Sequence, residues 1–107
     1  MTTSLASQSP PHELERDLES FFRERIQKIG GMTLKLAPTV AGAPDRLVLL
    51  PGSVIVLVEL KTSKGSTRDI QKIWHVRARQ LGTHVHVLHG KQEIVSWINR
   101  YLDSRSS

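Results

Sequence analysis

Residues 42–61 read GAPDRLVLLPGSVIVLVELK, and the organisation of the whole chain follows from them. Arg46–Leu50 and Ser53–Leu60 are two β-rich runs, and the Pro51-Gly52 pair between them is a hairpin signal. The second run is apolar at every position from Val54 to Val58. A strand covered on both faces reads this way, so it is expected at the centre of a sheet. Asp45 stands at the mouth of the first strand, and Glu59-Leu60-Lys61 closes the second. Side chains alternate across a strand, so Glu59 and Lys61 share a face. The hairpin folds Asp45 back toward that face.

Working outward, Leu14, Leu18, Phe21, Phe22, Ile26 and Ile29 recur at helical spacing between His12 and Ile29, and Gly30-Gly31 stops the helix. Residues 32–36 alternate as a strand, and residues 37–45 are loop, with glycine and two prolines. After a polar loop at 62–66, Ser66 with Asp69 three residues on is expected to cap a helix reaching about Leu81, which Gly82 ends. Thr83–Leu88 is a further strand and Lys91–Leu102 a last amphipathic helix. The order α-β-β-β-α-β-α, with helices before and after a central mixed sheet, predicts an α/β three-layer α/β/α sandwich. Residues 1–11 are expected to be a loose leader, 12–103 the domain and 104–107 a tail.

The 107 residues suit one domain, and 38% hydrophobic with 23% charged residues suits a soluble one. No apolar run approaches the roughly 18 residues of a membrane span. The first residues lack the basic start and apolar stretch of a secretion signal, so an intracellular, cytoplasmic protein is expected. Cysteine is absent, so a metal would rest on oxygen or imidazole ligands. The net charge is +5, and residues 62–107 carry eight bases against three acids. That half favours a polyanionic partner, nucleic acid first.

Two converging carboxylates beside a lysine suit phosphodiester hydrolysis. The acids hold a hard divalent cation through oxygen, and the cation acidifies water and offsets charge growing on the phosphorane. The lysine stabilises that charge or orients the attacking water. The plainer reading is an ion pair between Glu59 and Lys61 on one strand face. Against it, Glu59 closes a five-residue apolar run, where a charge is costly without a partner or a task.

Gly42-Ala43-Pro44-Asp45-Arg46, then Glu59-Leu60-Lys61, then Gln71 in the next helix, resembles the VRR-NUC family, a branch of the PD-(D/E)XK nucleases. The similarity runs from about Glu15 to Leu88 and includes Gly30-Gly31, Lys35 and Gly82. It implies a restriction-endonuclease-like fold and a DNA endonuclease. It also implies Mg²⁺ or Mn²⁺ held by Asp45, Glu59 and the Leu60 backbone carbonyl, with Lys61 as base or charge stabiliser and Gln71 lining the site. A helix acid is implied as well. Glu19 matches best by its distance from Gly30-Gly31, with Glu15 in reserve; both border the apolar stripe, whereas Glu13, Asp17 and Glu24 lie opposite it. The chain departs from the family at Lys64, where glycine is common, and at Arg68-Asp69, where Ser-Pro is common. Stand-alone members look like Holliday-junction resolvases, which implies a homodimer on branched DNA, with no small-molecule cofactor and no membrane partner. The alternative is a nucleic-acid-binding module that keeps the fold without the activity.

On the helix after residue 67, Ile70, Ile73, Trp74, Ala78 and Leu81 form one side, and Arg68, Lys72, His75 and Arg79 gather on the other with Gln71 at the border. Those four, with Lys35, Arg46 and Lys64, are the candidates for phosphate contact. Trp74 and Trp97 read as core. His84 and His86 share a strand face and suggest a surface or an interface; Tyr101 and Leu102 of the last helix read either as part of a joining surface or as core.

Overall fold

The computed structural model describes residues 14–37 and 39–106. The leader expected at 1–11 lies outside them. Helix α1 (Glu15–Lys28) turns Leu18, Phe22 and Ile26 inward at four-residue spacing and buries all three completely. It ends as Gly30 N–H donates to Gln27 O and Gly31 N–H to Ile26 O. Gly31 is required by packing: a Cβ there would meet Leu49 O at 2.7 Å and Ile26 Cγ2 at 2.9 Å.

Strands β1 (Met32–Lys35), β2 (Arg46–Leu50) and β3 (Val54–Lys61) form an antiparallel meander. Helix α2 (Asp69–Gln80) then crosses over to β4 (Val85–His89), which pairs parallel with β3, and helix α3 (Gly90–Ser106) closes the chain. The sheet order is β1-β2-β3-β4, so β3 is central, as its apolar run predicts. The start of β3 is nonetheless open, with Ile55 60% exposed. No helix among the described residues is long and apolar enough to cross a membrane.

The core lies between one face of the sheet and α1 with α3. Val48 and Leu50 of β2, Val56, Val58 and Leu60 of β3 and Leu88 of β4 meet Leu18, Phe22 and Ile26 on one side and Ile94, Trp97 and Ile98 on the other. Phe22 and Trp97 stack with centroids 6.2 Å apart. Burying one such aliphatic side chain contributes about 1.5–3 kcal/mol. This layer supplies most of the apolar burial, and it leaves the opposite face of the sheet to α2 and the polar residues.

The structure departs from the pattern of the sequence at several places. First, α2 is turned away from the orientation its apolar pattern suggests: the buried face runs through Gln71, His75 and Ala78, with Trp74 half-buried at its edge, while Ile70, Ile73, Val76 and Leu81 are exposed. Its cap also differs, because Arg68 occupies the N-cap and the Gln71 side chain accepts the Arg68 backbone N–H at 2.9 Å; Ser66 has no part in it. Second, the His84/His86 face is divided: His84 is exposed, as expected, and His86 is half-buried. The latter points toward α3 and lies 5.4 Å from the Trp97 ring. Third, of the two readings of Tyr101 the core one holds: it packs half-buried against the core and its hydroxyl donates to Pro51 O at 2.8 Å. The last helix also runs to Ser106, beyond the expected Leu102.

Candidate active site

Alternation along the hairpin sorts its side chains between the two faces. Arg46, Val48 and Leu50 point into the core, as do Val56, Val58 and Leu60, so Asp45, Glu59 and Lys61 fall on the α2 face. The ladder pairs Arg46 with Val58. One rung further, Asp45 and Glu59 stand opposite each other. Lys61 Nζ lies 3.5 Å from Glu59 Oε2, and that same oxygen accepts from Gln71 Nε2 at 3.2 Å. Glu59 is 6% exposed and Gln71 4%.

Each acid keeps one oxygen buried and unsatisfied: Asp45 Oδ1 and Glu59 Oε1 have no hydrogen-bond partner. Buried carboxylate oxygens are rarely left so, and each needs an explanation. Burial and then the Glu59 charge push the Asp45 carboxyl from 3.8 up to about 7, against the opposing pull of the Leu60 backbone N–H. Burial also raises Glu59, although Lys61, Gln71 and the Asp45 backbone N–H all favour its charged form. Two acids sharing a poorly solvated spot with open oxygens are chemically suited to a divalent cation, which would satisfy both oxygens and relieve the repulsion. Among the described residues no three His, Cys, Asp or Glu side chains converge on a metal position. A cation here would therefore rest on Asp45 and Glu59, with main-chain or water oxygens completing its shell.

The loop before Asp45 is fixed against α2. Gly42 has φ +87°, and a Cβ there would lie 2.6 Å from Ile70 O, so only glycine lets the loop sit this close. Between loop and helix is a cleft of about 240 Å³ lined by Gly42, Pro44, Asp45, Arg68 and Gln71 among others. Of the two acids, Asp45 lines it.

The remaining expected residues divide. Glu19 pairs with Lys35 Nζ at 3.1 Å and with Arg46 Nη1 at 3.6 Å, so it reaches Asp45 through charge and joins no three-acid cluster. Glu15 is exposed on the first turn of α1. Arg46 is 3% exposed and bonded to Thr33 Oγ1, and His75 is 2% exposed, so neither can take the phosphate contact expected of it. Arg79 directs Nε and Nη2 to Val85 O at 3.2 and 2.7 Å, which commits it to holding β4. Lys64, Arg68 and Lys72 are exposed and remain suited to phosphates. Sequence reading missed the burial of His75, although its position one turn after Gln71 marks it.

No protein-family model matches the chain. The chain is 37% identical over 75 residues to "Putative nuclease p44" of Acyrthosiphon pisum secondary endosymbiont phage 1, covering 69% of this chain and 81% of that protein. It is also similar to a solved structure described as a VRR_NUC domain, at 32% identity and a TM-score of 0.74. That match covers 81% of this chain and 96% of the other.

Proposed function

The chain belongs to the VRR-NUC family, and from this we propose that it is a divalent-metal-dependent DNA endonuclease hydrolysing phosphodiester bonds. The observation that carries the reading is the pair of buried, unsatisfied oxygens on Asp45 and Glu59 beside Lys61. Asp45 and Glu59 would hold Mg²⁺ or Mn²⁺, which would supply an acidified water and offset phosphorane charge. Gln71 fixes Glu59 by donating to Oε2 and leaves Oε1 open. Lys61 stands ready to stabilise charge on the scissile phosphate or to orient the attacking water. Lys64, Arg68 and Lys72 are exposed, Arg68 lines the cleft with Asp45, and these three would hold neighbouring phosphates.

The preferred substrate in this reading is branched duplex such as a Holliday junction, cut by a homodimer. One centre and a few exposed cations give each chain a small grip, and a twofold pair doubles it while fixing the spacing of two cuts. The exposed stripe of Ile73, Val76 and Leu81 on α2 is the surface a second copy would cover.

The test is cleavage of a panel of linear, flapped and four-way DNAs by the purified protein with Mg²⁺ or Mn²⁺, alongside Asp45→Asn and Glu59→Gln. Metal-dependent nicking by wild type and its loss in both variants is the expected result. Binding without cleavage under every condition would favour an inactive nucleic-acid-binding module instead.

A further inference from the structure

The core face of the sheet does not close completely against α3. A cavity of about 370 Å³ remains between Val54 and Val56 of β3, His86 of β4 and the second half of α3 from Trp97 on. That volume falls within the roughly 300–1,000 Å³ of small-molecule sites. The cavity is separate from the two acids. Val54 and Val56 have the opposite parity to Glu59 and face the other side of the sheet. Val54 also lies roughly 17 Å before Glu59 along the strand, at about 3.3 Å per residue.

Its floor is apolar and built of flat rings. His86 lies 5.4 Å from the Trp97 ring, and Phe22 stacks on Trp97 at 6.2 Å. Tyr101 stands beside them, its hydroxyl donating to Pro51 O at 2.8 Å. The rim is cationic. Arg100, Arg105 and His84 line it, all exposed, and among the described residues no carboxylate does. Arg105 Nη1 also donates to Pro51 O at 2.8 Å, and its Cζ lies 5.8 Å from the Tyr101 ring centre. A guanidinium has five donors and this bond uses one, so the cation is held at the rim with donors in hand. The positive character extends inward: burial first, then the charges of His84, Arg79 and Arg100, push the His86 pKa down.

Fixed rings below and cations above match a ligand with a flat ring at one end and an anion at the other. A purely apolar ligand would leave the arginines unused, and a bare phosphate would leave the rings unused. We propose that this cavity binds one nucleotide, its base against Val54, His86 and Tyr101 and its phosphate on Arg100 and Arg105. Stacking of this kind tolerates any base, because every base has a π-face. A free nucleotide and an unpaired nucleotide within a DNA strand offer the same chemistry. Only the second source rests on the nuclease reading.

The test titrates the full chain in EDTA, with Trp74→Phe leaving Trp97 as the sole tryptophan. Thymidine 5′-monophosphate should change its emission and bind roughly 10-fold or more tightly than thymidine or 2-deoxyribose 5-phosphate. Arg100→Gln and Arg105→Gln should each weaken the monophosphate roughly 10-fold, the loss of one charged hydrogen bond, and leave thymidine unchanged. Competition separates the sources. Displacement by a duplex with one unpaired nucleotide, and not by blunt duplex, assigns the site to a DNA strand; displacement by neither assigns it to free nucleotides. Displacement by blunt duplex would overturn the proposal. So would deoxyribose phosphate binding as tightly as the monophosphate, unchanged affinity in both arginine variants, or no binding at millimolar concentrations. If wild type cleaves no DNA, the nuclease reading fails and the titration still decides this site.

Discussion

Asp45 and Glu59 face each other one rung beyond the β2–β3 ladder, and the Glu59 charge is second only to burial in raising the Asp45 carboxyl to about 7. In the metal-free protein this arrangement opposes folding over a defined pH range. Between about 4 and about 7 the folded chain keeps a proton on Asp45 that the unfolded chain has released. Stability therefore falls as pH rises through that window, and the raised Glu59 acts in the same sense. Urea unfolding in EDTA should show the decline. Asp45→Asn should flatten most of it and gain about 1–3 kcal/mol at pH 8, the cost of an unsatisfied buried group. A wild-type protein with flat stability from pH 4 to 7 would remove the repulsion from the account.

Mg²⁺ titrated at pH 8 should raise Tm, because a ligand that binds the fold alone stabilises it by mass action. The gain should shrink toward pH 6 as protons compete for Asp45, and disappear in Glu59→Gln. Chelation with EDTA should restore the starting Tm. A shift that survives Glu59→Gln would place the cation elsewhere.

Gln71 has two tasks, donating to Glu59 Oε2 and accepting from the Arg68 backbone N–H. Gln71→Ala should lose about 1–2 kcal/mol of stability through the missing cap and bond, and should also lower cleavage. Gln71→Glu keeps the cap acceptor but sets a third carboxylate against Glu59, so it should retain more stability than Ala and cleave no better. Equal melting of wild type and Gln71→Ala would contradict the double role.

Lys61→Ala should abolish cleavage with DNA affinity nearly unchanged. By contrast, neutralising Arg68 or Lys72 should weaken binding on every sequence alike and lower the salt slope by about one. Arg79→Gln should act on stability instead, since its guanidinium holds the Val85 carbonyl. Binding isotherms at several salt concentrations separate these outcomes.

Ile73→Glu places a charge in the exposed α2 stripe. If a second copy covers that stripe, sedimentation should change from about twice 12.0 kDa to a single chain, and paired nicks on a junction should become unpaired. A wild-type monomer would end the homodimer proposal and leave the nuclease proposal standing.

The hairpin was legible because two local signals agree, the Pro51-Gly52 turn and the period-two pattern around it. The placement of Asp45, Glu59 and Lys61 on one face followed from parity alone. Parity also held a warning that charge obscured: Arg46 shares its face with Val48 and Leu50, so it had to be buried. The side α2 presents was not legible. Helical periodicity reports where apolar side chains cluster, and here the polar needs of the site outweigh that preference, turning Gln71 and His75 inward. The Glu19 pairing with Lys35 and Arg46 joins α1, β1 and β2, an arrangement no spacing within one element reveals.

The parallel seam between β3 and β4 sets an order of assembly. A hairpin closes between neighbours, whereas parallel strands wait for a crossover to be laid down and docked. Asp45 and Glu59 belong to the early hairpin, and Gln71 and His75 to the late crossover. During refolding the two acids thus meet before the helix that steadies them arrives. Near neutral pH that encounter brings like charges together in a half-built sheet, so mild acid should hasten the early phase of refolding.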